Sequence, residues 1–462
     1  MREAETLLSG SQGAAGLAAP VSRGVEVRPF VATRYDPQRF PNVSPLLAPP
    51  YDVIDAAERQ LLLARHPRNC VRLILPQPPP GGPAEGKYAL AARTLRCWLC
   101  EGVLREMEDP SIFVLREDFE LEERWYSRTG FLAGVRLEPL GGGPIYPHEE
   151  TMGEARRDRL ALLEATRANL SLVMTFFSDH VPGGGPEGMV TGILRGICQE
   201  KPVLRAVGPR GVRLTLWAVT EGEVTARLTA AMAGRELFIA DGHHRYETAL
   251  AFAQEEGALG SADPQGAGFA PMQCIPLEDP GLLALPTHRL FPVELGLEEG
   301  WFLKEARQYF GVEEVSSPGL GLATLREAMH QRRDEHVFGL YGRGRRAYLL
   351  RLREEGMLDS LELPYDQEAR RLDVCVFQEL IVKRIFGMEF SQVAKDGTLR
   401  FVHTFLEGEQ RVESDEIGLA FFVNPTPVAA IPPVARRGGV MPPKSTYFFP
   451  KVPAGLLFRL IR

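Results

Sequence analysis

The chain has 462 residues, of which 44% are hydrophobic, and its formal net charge at pH 7 is −7. This length exceeds a single hydrophobic core and predicts two or three globular domains. The acidic balance makes nucleic acid an unlikely partner, and no apolar run approaches the length of a membrane span. Residues 1–24 are small and polar without a signal-peptide core, so we expect a flexible N-terminal tail on a cytoplasmic protein.

Short strands and helices are predicted along the first part of the chain. Residues 25–32 predict a strand, and residues 56–65 predict a helix capped by Asp55. Residues 69–75 are typical of a buried strand. An antiparallel meander is predicted from three short runs separated by turn residues: 111–117, 119–127 and 131–137.

The six cysteines do not form a disulfide framework, and most lie in apolar runs, so we expect reduced core residues. Cys97 and Cys100 form a C-x-x-C pair. This pair lies inside the helical pattern of residues 88–104, and no second thiolate pair completes a zinc site. Helix packing is therefore the preferred interpretation.

A first polar cluster, His148-Glu-Glu-Thr151, lies at a loop-to-helix junction before the predicted helix of residues 153–167. His148 has a pKa suited to proton transfer, and a carboxylate at position 149 or 150 could orient it, accept a proton or hold a metal ion. The alternative is a capping box formed by Thr151 and Glu154. That alternative gives His148 and Glu149 no task.

The central motif of the chain is Asp241-Gly-His-His-Arg245. It lies between a predicted strand at residues 237–240 and a helical pattern from Tyr246 onwards. The N–H groups of such a turn converge at the positive end of the helix dipole, which attracts phosphate. Arg245 can bind two phosphate oxygens, and Asp241 can cap the helix or hold Mg²⁺. The alternative is a capped helix with solvated histidines.

Beyond this motif, residues 286–291 contain a His-Arg pair that suits a phosphate contact or a surface turn. Residues 298–353 alternate helix and strand, with a hairpin through residues 342–345. An amphipathic helix at residues 372–386 and a buried strand at residues 418–423 follow. These features predict a smaller α+β unit.

A third polar cluster, at residues 441–451, places Lys444, Ser445, Thr446 and Lys451 on proline-stiffened backbone before a final strand at residues 455–461. A rigidly held lysine and two hydroxyls suit a phosphate or a carboxylate. The segment is not a P-loop, because the glycine frame is missing and prolines cannot donate N–H groups. The alternative is a proline-ordered turn with solvated lysines.

Four motifs in the same order resemble those of a conserved family known only as domain of unknown function 1015. The resemblance extends from about residue 25 to the C-terminus, and the family name implies no activity. The four motifs are Pro49-Pro-Tyr-Asp-Val-Ile54, His148-Glu-Glu-Thr151, Asp241-Gly-His-His-Arg-Tyr246 and Met441-Pro-Pro-Lys-Ser-Thr-Tyr-Phe-Phe-Pro-Lys451.

The stretch Gly242-His-His-Arg-Tyr246 also resembles the nucleotide-binding turn of the ParB/sulfiredoxin superfamily. The resemblance implies phosphate contacts from His244 and Arg245. Sulfiredoxins have Gly-Cys-His-Arg-Tyr at this turn, and His243 replaces that cysteine here, which excludes sulfinic-acid reduction by a thiol at this position. Free serine kinases of the same superfamily bear a similar turn. Their catalytic glutamate has no identified counterpart in this sequence.

These observations predict a nucleotide-dependent phosphotransferase that acts on a small hydroxyl metabolite, with free serine as a candidate. ATP or ADP would bind at Gly242, His243, His244, Arg245 and Tyr246. Mg²⁺ would bind at Asp241 or Glu149. The predicted catalytic residues are His148, Glu149, Asp241 and Lys444, and Ser445, Thr446 and Lys451 would bind the substrate.

Two alternatives belong to other functional classes. The first is a regulatory module of ParB-like type that binds a nucleotide or nucleic acid. The second is a metal-dependent hydrolase in which His148, Glu149, Asp241, His243 and His244 surround a transition metal. Adjacent histidines on a helix point in different directions, which disfavours joint ligation by His243 and His244.

The predicted fold class is α+β with mixed sheets and a ParB/sulfiredoxin-like nucleotide-binding core that carries large insertions. We expect three parts: the tail (1–24), an α+β core with the first two polar clusters (25–295), and a smaller α+β unit (296–462). The last strand would bring the 441–451 turn back towards the core.

Overall fold

The structure is a computed structural model that describes residues 24–78, 81–84, 86–149, 153–180, 188–220, 222–315, 322–361, 363, 365–395, 397–439 and 441–462. The predicted N-terminal tail lies outside the described residues except for Gly24, and so do Glu150 and Thr151. The capping-box alternative for Thr151 therefore also lies outside them.

Twenty-one strands are present in the described ranges. They are β1 Val27–Arg28, β2 Thr33–Tyr35, β3 Leu104–Glu106, β4 Ile112–Leu121, β5 Arg124–Arg136, β6 Ile145–Tyr146, β7 Ala168–Asn169, β8 Val173–Phe177, β9 Leu204–Val207, β10 Arg213–Val219, β11 Leu237–Asp241, β12 Phe269–Pro276, β13 Leu283–Leu285, β14 His288–Pro292, β15 Phe310–Glu314, β16 Val337–Gly342, β17 Ala347–Leu352, β18 Arg400–Val402, β19 Ile417–Val423, β20 Tyr447–Phe449 and β21 Arg459–Leu460.

Fourteen α-helices accompany these strands in the same ranges. They are α1 Ala56–Arg65, α2 Val71–Ile74, α3 Gly86–Cys100, α4 Gly153–Thr166, α5 Met189–Ile197, α6 Gly222–Met232, α7 His243–Glu255, α8 Glu299–Ala306, α9 Ala323–Gln331, α10 Gly356–Ser360, α11 Asp373–Val376, α12 Phe390–Lys395, α13 Phe405–Glu413 and α14 Ile431–Arg436. A π-helix, Phe377–Ile385, continues α11. No helix of the described ranges has the length and apolar character needed to cross a membrane.

The larger sheet has nine strands in the order β6-β11-β8-β12-β5-β4-β10-β9, with β1 paired to β5. It is mixed, because β11 runs parallel to β6 and β12 runs parallel to β8, while the other pairs are antiparallel. Every residue of β12 is buried, as expected for a strand covered on both faces.

The second sheet has six antiparallel strands in the order β15-β17-β16-β19-β14-β18. Its hairpin β16–β17 turns at residues 343–346, which confirms the predicted hairpin. The buried strand predicted at residues 418–423 is also present as β19. Two sheets of different type, each covered by helices, confirm the predicted α+β class with mixed sheets.

The C-terminal segment returns to the first half of the chain. β20 pairs with β13, β21 pairs with β7, and single bridges join Thr33 to Phe458 and Ala48 to Ala454. Phe448, Phe449 and Phe458 are buried in the same hydrophobic cluster as residues of the N-terminal third. The boundary near residue 295 stays a prediction, although β20 and β21 pair with strands of the core that precedes it.

The strand predicted at residues 69–75 is wrong, since residues 71–74 form the short helix α2. The side chain of Asn69 explains the difference. Its oxygen accepts from the N–H of Val71 at 2.9 Å, and its amide donates to the carbonyls of Pro45 and Leu47. A local side-chain-to-backbone bond of this kind favours a helical turn over an extended chain.

The predicted meander of three runs is one long hairpin, because β4 and β5 pair without interruption from Phe113 to Leu121. The polar residues expected between the runs are instead paired across β4 and β5. Arg128 and Glu117 form an ion pair at 2.8 Å, and both side chains are fully buried. These charged residues therefore lie inside the sheet and not in a turn.

Three smaller predictions have different outcomes. Asp55 caps α1 as predicted, since its side chain accepts from the N–H of Glu58 at 2.7 Å. Cys97 and Cys100 are exposed on α3, so the expectation of core cysteines is wrong for this pair. The surface turn considered at residues 286–291 is wrong, because His288 and Arg289 are buried in β14, and the phosphate contact stays a prediction.

Candidate functional site

The central motif folds as a strand, a one-residue turn and a helix. β11 ends at Asp241, Gly242 has φ = 91°, and α7 begins at His243. The positive φ of Gly242 favours glycine, and a Cβ at this position would lie 2.8 Å from the guanidinium carbon of Arg245 and displace that side chain. The side chain of Arg245 can therefore lie across the turn.

The start of α7 has the features of an anion site. The first N–H groups of any α-helix lack intrahelical acceptors, and Gly242 has no side chain to cap them. These groups lie at the positive end of the dipole of a 13-residue helix. Residues 242–245 all line the same cleft.

An ion network fixes the charges beside this turn. The carboxylate of Asp241 bonds both Arg245 and Lys451, and the Lys451 ammonium also lies 3.2 Å from Asp52. Burial would raise the pKa of Asp241, but the charges of Lys451 and Arg245 outweigh burial and lower it strongly. Burial would lower the pKa of Lys451, and Asp241 and Asp52 raise it instead. Asp241 and Lys451 therefore stay ionised at neutral pH.

Arg245 is engaged on both sides of its guanidinium. One nitrogen donates to the carbonyl of Leu172 and the other to Asp241. The side chain therefore ties β11 and α7 to the segment before β8. The ring of Tyr246 is buried, and its hydroxyl donates to the carbonyl of Glu138 at 2.7 Å, so this residue supports the turn from behind.

His148 is fully buried, and its tautomer follows from its partners. Nδ1 lies 2.7 Å from the carbonyl oxygen of Ile239, which can only accept, so Nδ1 carries the proton. Nε2 then accepts from the hydroxyl of Thr446 at 2.9 Å. Burial lowers the pKa of His148, although the charge of Glu149 opposes this effect. The imidazole is therefore neutral at pH 7.

Glu149 meets the third polar cluster directly. Its Oε1 lies 3.4 Å from the N–H and 3.3 Å from the hydroxyl of Thr446. The backbone joins the two segments as well, since the N–H of Met441 donates to the carbonyl of His148 at 2.8 Å. Two motifs separated by almost 300 positions thus form one wall.

Lys444 has φ = 63°, a left-handed conformation that is unusual for a residue with a side chain. Side-chain bonds around it maintain this shape. Ser445 donates to the carbonyl of Pro442 at 2.6 Å, and Thr426 donates to the carbonyl of Ser445 at 2.9 Å. The hydroxyl of Ser445 is buried and has this structural role, whereas the Lys444 side chain is exposed.

These elements enclose a cleft with a volume of about 230 Å³. Nine predicted site residues line it: Glu149, Asp241, Gly242, His243, His244, Arg245, Lys444, Thr446 and Lys451. Three others lie behind its walls: His148, Tyr246 and Ser445. The lining residues come from segments that are up to 400 positions apart, from Tyr51 to Lys451.

Comparison with known families identifies the chain. Residues 27–375 match the family described as "Protein of unknown function (DUF1015)". The chain belongs to this family. The match confirms the membership that the four motifs predicted, and no curated protein matches the chain.

Solved structures similar to this DUF1015 protein include a free serine kinase in complex with AMP. The two are 12% identical, the match covers 66% of this chain and 83% of that chain, and the TM-score is 0.33. A C-terminally truncated SbnI from Staphylococcus aureus is 11% identical over 70% of this chain and 84% of that chain, with a TM-score of 0.33. A conserved hypothetical protein from Pyrococcus furiosus is 13% identical over 67% and 90%, with a TM-score of 0.32. These scores are too low to assign a function.

Sequence reasoning gave no role to several lining residues of this DUF1015 protein. Tyr51 and Asp52 belong to one of the four motifs of the family resemblance, and that motif could have indicated them as site residues. Tyr447 belongs to the last of these motifs, whereas Thr287 and His403 lie outside all four. The rings of His403 and Tyr447 stack at 3.6 Å between centroids, and burial lowers the pKa of His403 to about 4, so the pair is an uncharged wall.

The described residues of the cleft are poorly arranged for a metal centre. The ring of His148 is engaged at both nitrogens, by the carbonyl of Ile239 and the hydroxyl of Thr446. Within the described ranges, no group of three or more His, Cys, Asp or Glu side chains is placed to hold a metal ion. The metal-hydrolase alternative has no support from these residues.

Proposed function

We propose that the protein is a nucleotide-dependent phosphotransferase that acts on a small molecule with a hydroxyl group, with free serine as the first candidate. One observation carries the proposal: the free start of α7, an unengaged lysine and a carboxylate all line one cleft. Phosphoryl transfer needs positioning and charge neutralisation more than covalent chemistry from the protein.

The nucleotide phosphates would lie against the first turn of α7. The backbone N–H groups of His243, His244 and Arg245 would be the main donors, with the charge of Lys451 close by. The guanidinium of Arg245, bonded to Leu172 and Asp241, would orient this turn. The low pKa values of the histidines support neutral rings that leave phosphate binding to the backbone and the cations.

Glu149 is the proposed general base. It would accept the proton of the attacking hydroxyl as the oxygen attacks the transferred phosphorus. Thr446 holds this carboxylate through its N–H, and His148 holds Thr446 from behind. His148 would thus act as a positioning residue, because its ring is fully buried.

Mg²⁺ at Asp241 and Glu149 fits the described geometry poorly. The carboxylate of Asp241 is already bonded to two cations, Arg245 and Lys451, which would have to move before it could ligate a metal ion. Mg²⁺ therefore stays a prediction, and the roles proposed above are those of the protein's own residues.

The proposal is tested by thermal shift with AMP, ADP and ATP, each with and without Mg²⁺, followed by transfer from ATP to L-serine. A nucleotide at a hundred times its Kd should stabilise the protein by about 2.7 kcal/mol. Arg245→Ala should lose the shift. Arg167→Ala is the matched control, because Arg167 pairs with Glu256 at the far end of α7.

Three outcomes are distinguishable. A shift in wild type and the control but not in Arg245→Ala, together with transfer to a hydroxyl, supports the proposal. Binding without transfer to any hydroxyl acceptor supports the regulatory nucleotide-binding alternative instead. No shift with any nucleotide in a folded wild type contradicts both.

A further inference from the structure

Two lysines line the cleft, and their surroundings differ. Lys451 is ion-paired with two carboxylates, those of Asp241 and Asp52. Lys444 is exposed to the cleft, and no carboxylate of the described ranges lies within ion-pair distance of it. Lys444 is therefore the cation of the cleft whose charge is available to a ligand.

The backbone of Lys444 is held in a costly conformation. A left-handed residue other than glycine costs about 1–2 kcal/mol. Arg289 helps to maintain this conformation, since its Nη2 lies 3.4 Å from the carbonyl oxygen of Lys444. Conformations of this kind are concentrated at functional sites, where they aim a side chain.

Arg289 is itself a buried cation. Its Nη1 donates to the carbonyl of Thr287, its side chain is 1% exposed, and no carboxylate in the described part of the chain pairs with it. Burial lowers its pKa to about 9. A buried charge without a counterion favours an anion nearby.

Thr287 provides an independent indication of a ligand. It lines the cleft and is 2% exposed, and its hydroxyl has no hydrogen-bond partner among the described residues. Buried hydroxyls are nearly always hydrogen-bonded in native proteins. The carbonyls of Thr287 and Lys444 accept from the same guanidinium, that of Arg289, so the two residues are neighbours, as a ligand oxygen that bonds to both side chains requires.

We infer that Thr287 and Lys444 form a subsite for the carboxylate of the acceptor, and that Arg289 positions both residues through their carbonyl oxygens. The subsite selects hydroxy acids and hydroxy amino acids over neutral alcohols and amino alcohols. This inference rests on the proposed function, because it assigns the carboxylate of the acceptor to this subsite and the phosphates to the first turn of α7.

The two proposed anion sites differ in whether carboxylates already balance their cations. The start of α7 binds phosphate through backbone N–H groups, and its side-chain charges are balanced by Asp241 and Asp52. At the subsite of Thr287 and Lys444, no carboxylate of the described residues is ion-paired with the lysine. A compact carboxylate suits one lysine and one hydroxyl.

The test compares acceptors that share a hydroxyl and differ in the carboxylate. ATP is supplied with L-serine, with glycolate, or with ethanolamine, which lacks a carboxylate. We expect transfer to the first two and little to ethanolamine. Thr287→Val and Lys444→Met should raise the acceptor KM about 10- to 100-fold, the loss expected for a charge-assisted hydrogen bond, with the Kd for ADP unchanged.

The positioning role of Arg289 is tested separately, by the KM and kcat of variants at this residue. Arg289→Met should raise the acceptor KM with little change in kcat at saturation, and Arg289→Lys should recover part of the loss. Lys304→Met, an exposed lysine on α8, is the control that changes nothing. Equal loss in Arg289→Met and Arg289→Lys, with the melting temperature lowered alike, overturns the positioning role.

Two results overturn the subsite. One is equal use of ethanolamine and L-serine. The other is weaker binding of ATP but not ADP by Lys444→Met, which assigns Lys444 to the terminal phosphate of the nucleotide.

If wild type transfers to no acceptor, the proposed function fails on its own, and titration of the ADP-saturated protein with L-serine and ethanolamine decides the subsite. Serine binding that Lys444→Met abolishes supports it, and absence of serine binding overturns it.

Discussion

The imidazole of His148 donates its Nδ1 proton to a carbonyl, so its Nε2 must accept the single hydroxyl proton of Thr446. The oxygen of Thr446 that lies 3.3 Å from Glu149 then has no proton to offer. Among the described residues, Glu149 is then left with the longer bond from the N–H of Thr446. This arrangement leaves the carboxylate available to a ligand.

Glu149→Gln tests this consequence. We expect phosphoryl transfer to fall about 10²- to 10⁴-fold, because an amide cannot accept the proton of the hydroxyl. The ADP-induced thermal shift should stay unchanged. Glu256→Gln, an exposed carboxylate at the end of α7, is the control for kcat. Transfer at the wild-type rate by Glu149→Gln would exclude Glu149 as the base.

Asp158 makes stability depend on acid pH. Burial would raise its pKa, but bonds from Lys87 at 2.6 Å, Arg159 and Tyr88 outweigh burial and lower the pKa from 3.8 to about 2. Because the folded pKa lies below the unfolded one, the stabilisation is complete above the unfolded pKa and is lost as pH falls through the folded pKa.

Asp158→Asn should therefore lower the free energy of unfolding near neutral pH, and the difference from wild type should shrink as pH falls from about 4 to about 2. Urea unfolding at a series of pH values measures this difference. A difference that stays constant over that range would show that Asp158 acts by packing and not by charge.

At the scale of elements, α7 illustrates what a local pattern predicts. The strand, the glycine turn and the helix start were predicted from residues 237–246, because every determinant lies within ten positions. The long hairpin β4–β5 was not predicted, because the pattern does not distinguish a polar turn from a buried ion pair such as Arg128–Glu117. The helix at residues 71–74 follows from the local bond between Asn69 and Val71, and the side chain of Asn69 is held in place for it by bonds to Pro45 and Leu47, which no local window contains.

Both ends of α7 carry a glycine with positive φ, which provides a matched pair. Gly242 has φ = 91° and lies against Arg245, whereas Gly257 has φ = 63° and open space around it. Gly257→Ala should cost about 1–2 kcal/mol from its backbone angle alone. Gly242→Ala should cost more and also abolish the ADP-induced shift. Equal losses of unfolding free energy and an intact ADP shift in both would contradict a special role for the turn.

At the scale of the whole molecule, the site depends on pairing between distant segments. The bond between His148 and Thr446 spans 298 positions and the ion pair between Asp52 and Lys451 spans 399. The sequence motifs indicated these residues separately, each within its own short segment. Their meeting could not be derived, because contacts at such separation depend on the packing of the whole core. Thr287 and His403 were missed for the same reason.

A fragment of residues 25–295 tests how far the predicted core is independent. The fragment lacks Phe448, Phe449 and Phe458, which pack in one hydrophobic cluster with residues of the N-terminal third. We therefore expect that it loses cooperative thermal unfolding. Co-expression with residues 296–462 should restore a cooperative transition. A fragment that melts alone as sharply as the full chain would show that the C-terminal segment is dispensable for the core.

The hydrogen bond between Met441 and His148 joins two sides of the cleft that are far apart in the sequence. These two segments are held together by non-covalent contacts. A ligand that touches both sides behaves as a reversible crosslink. Its binding should slow hydrogen–deuterium exchange at the amides of Met441 and Thr446, while amides of β16 and β17 in the six-stranded sheet should exchange as before. Amide exchange would then detect an occupied cleft before any substrate is known.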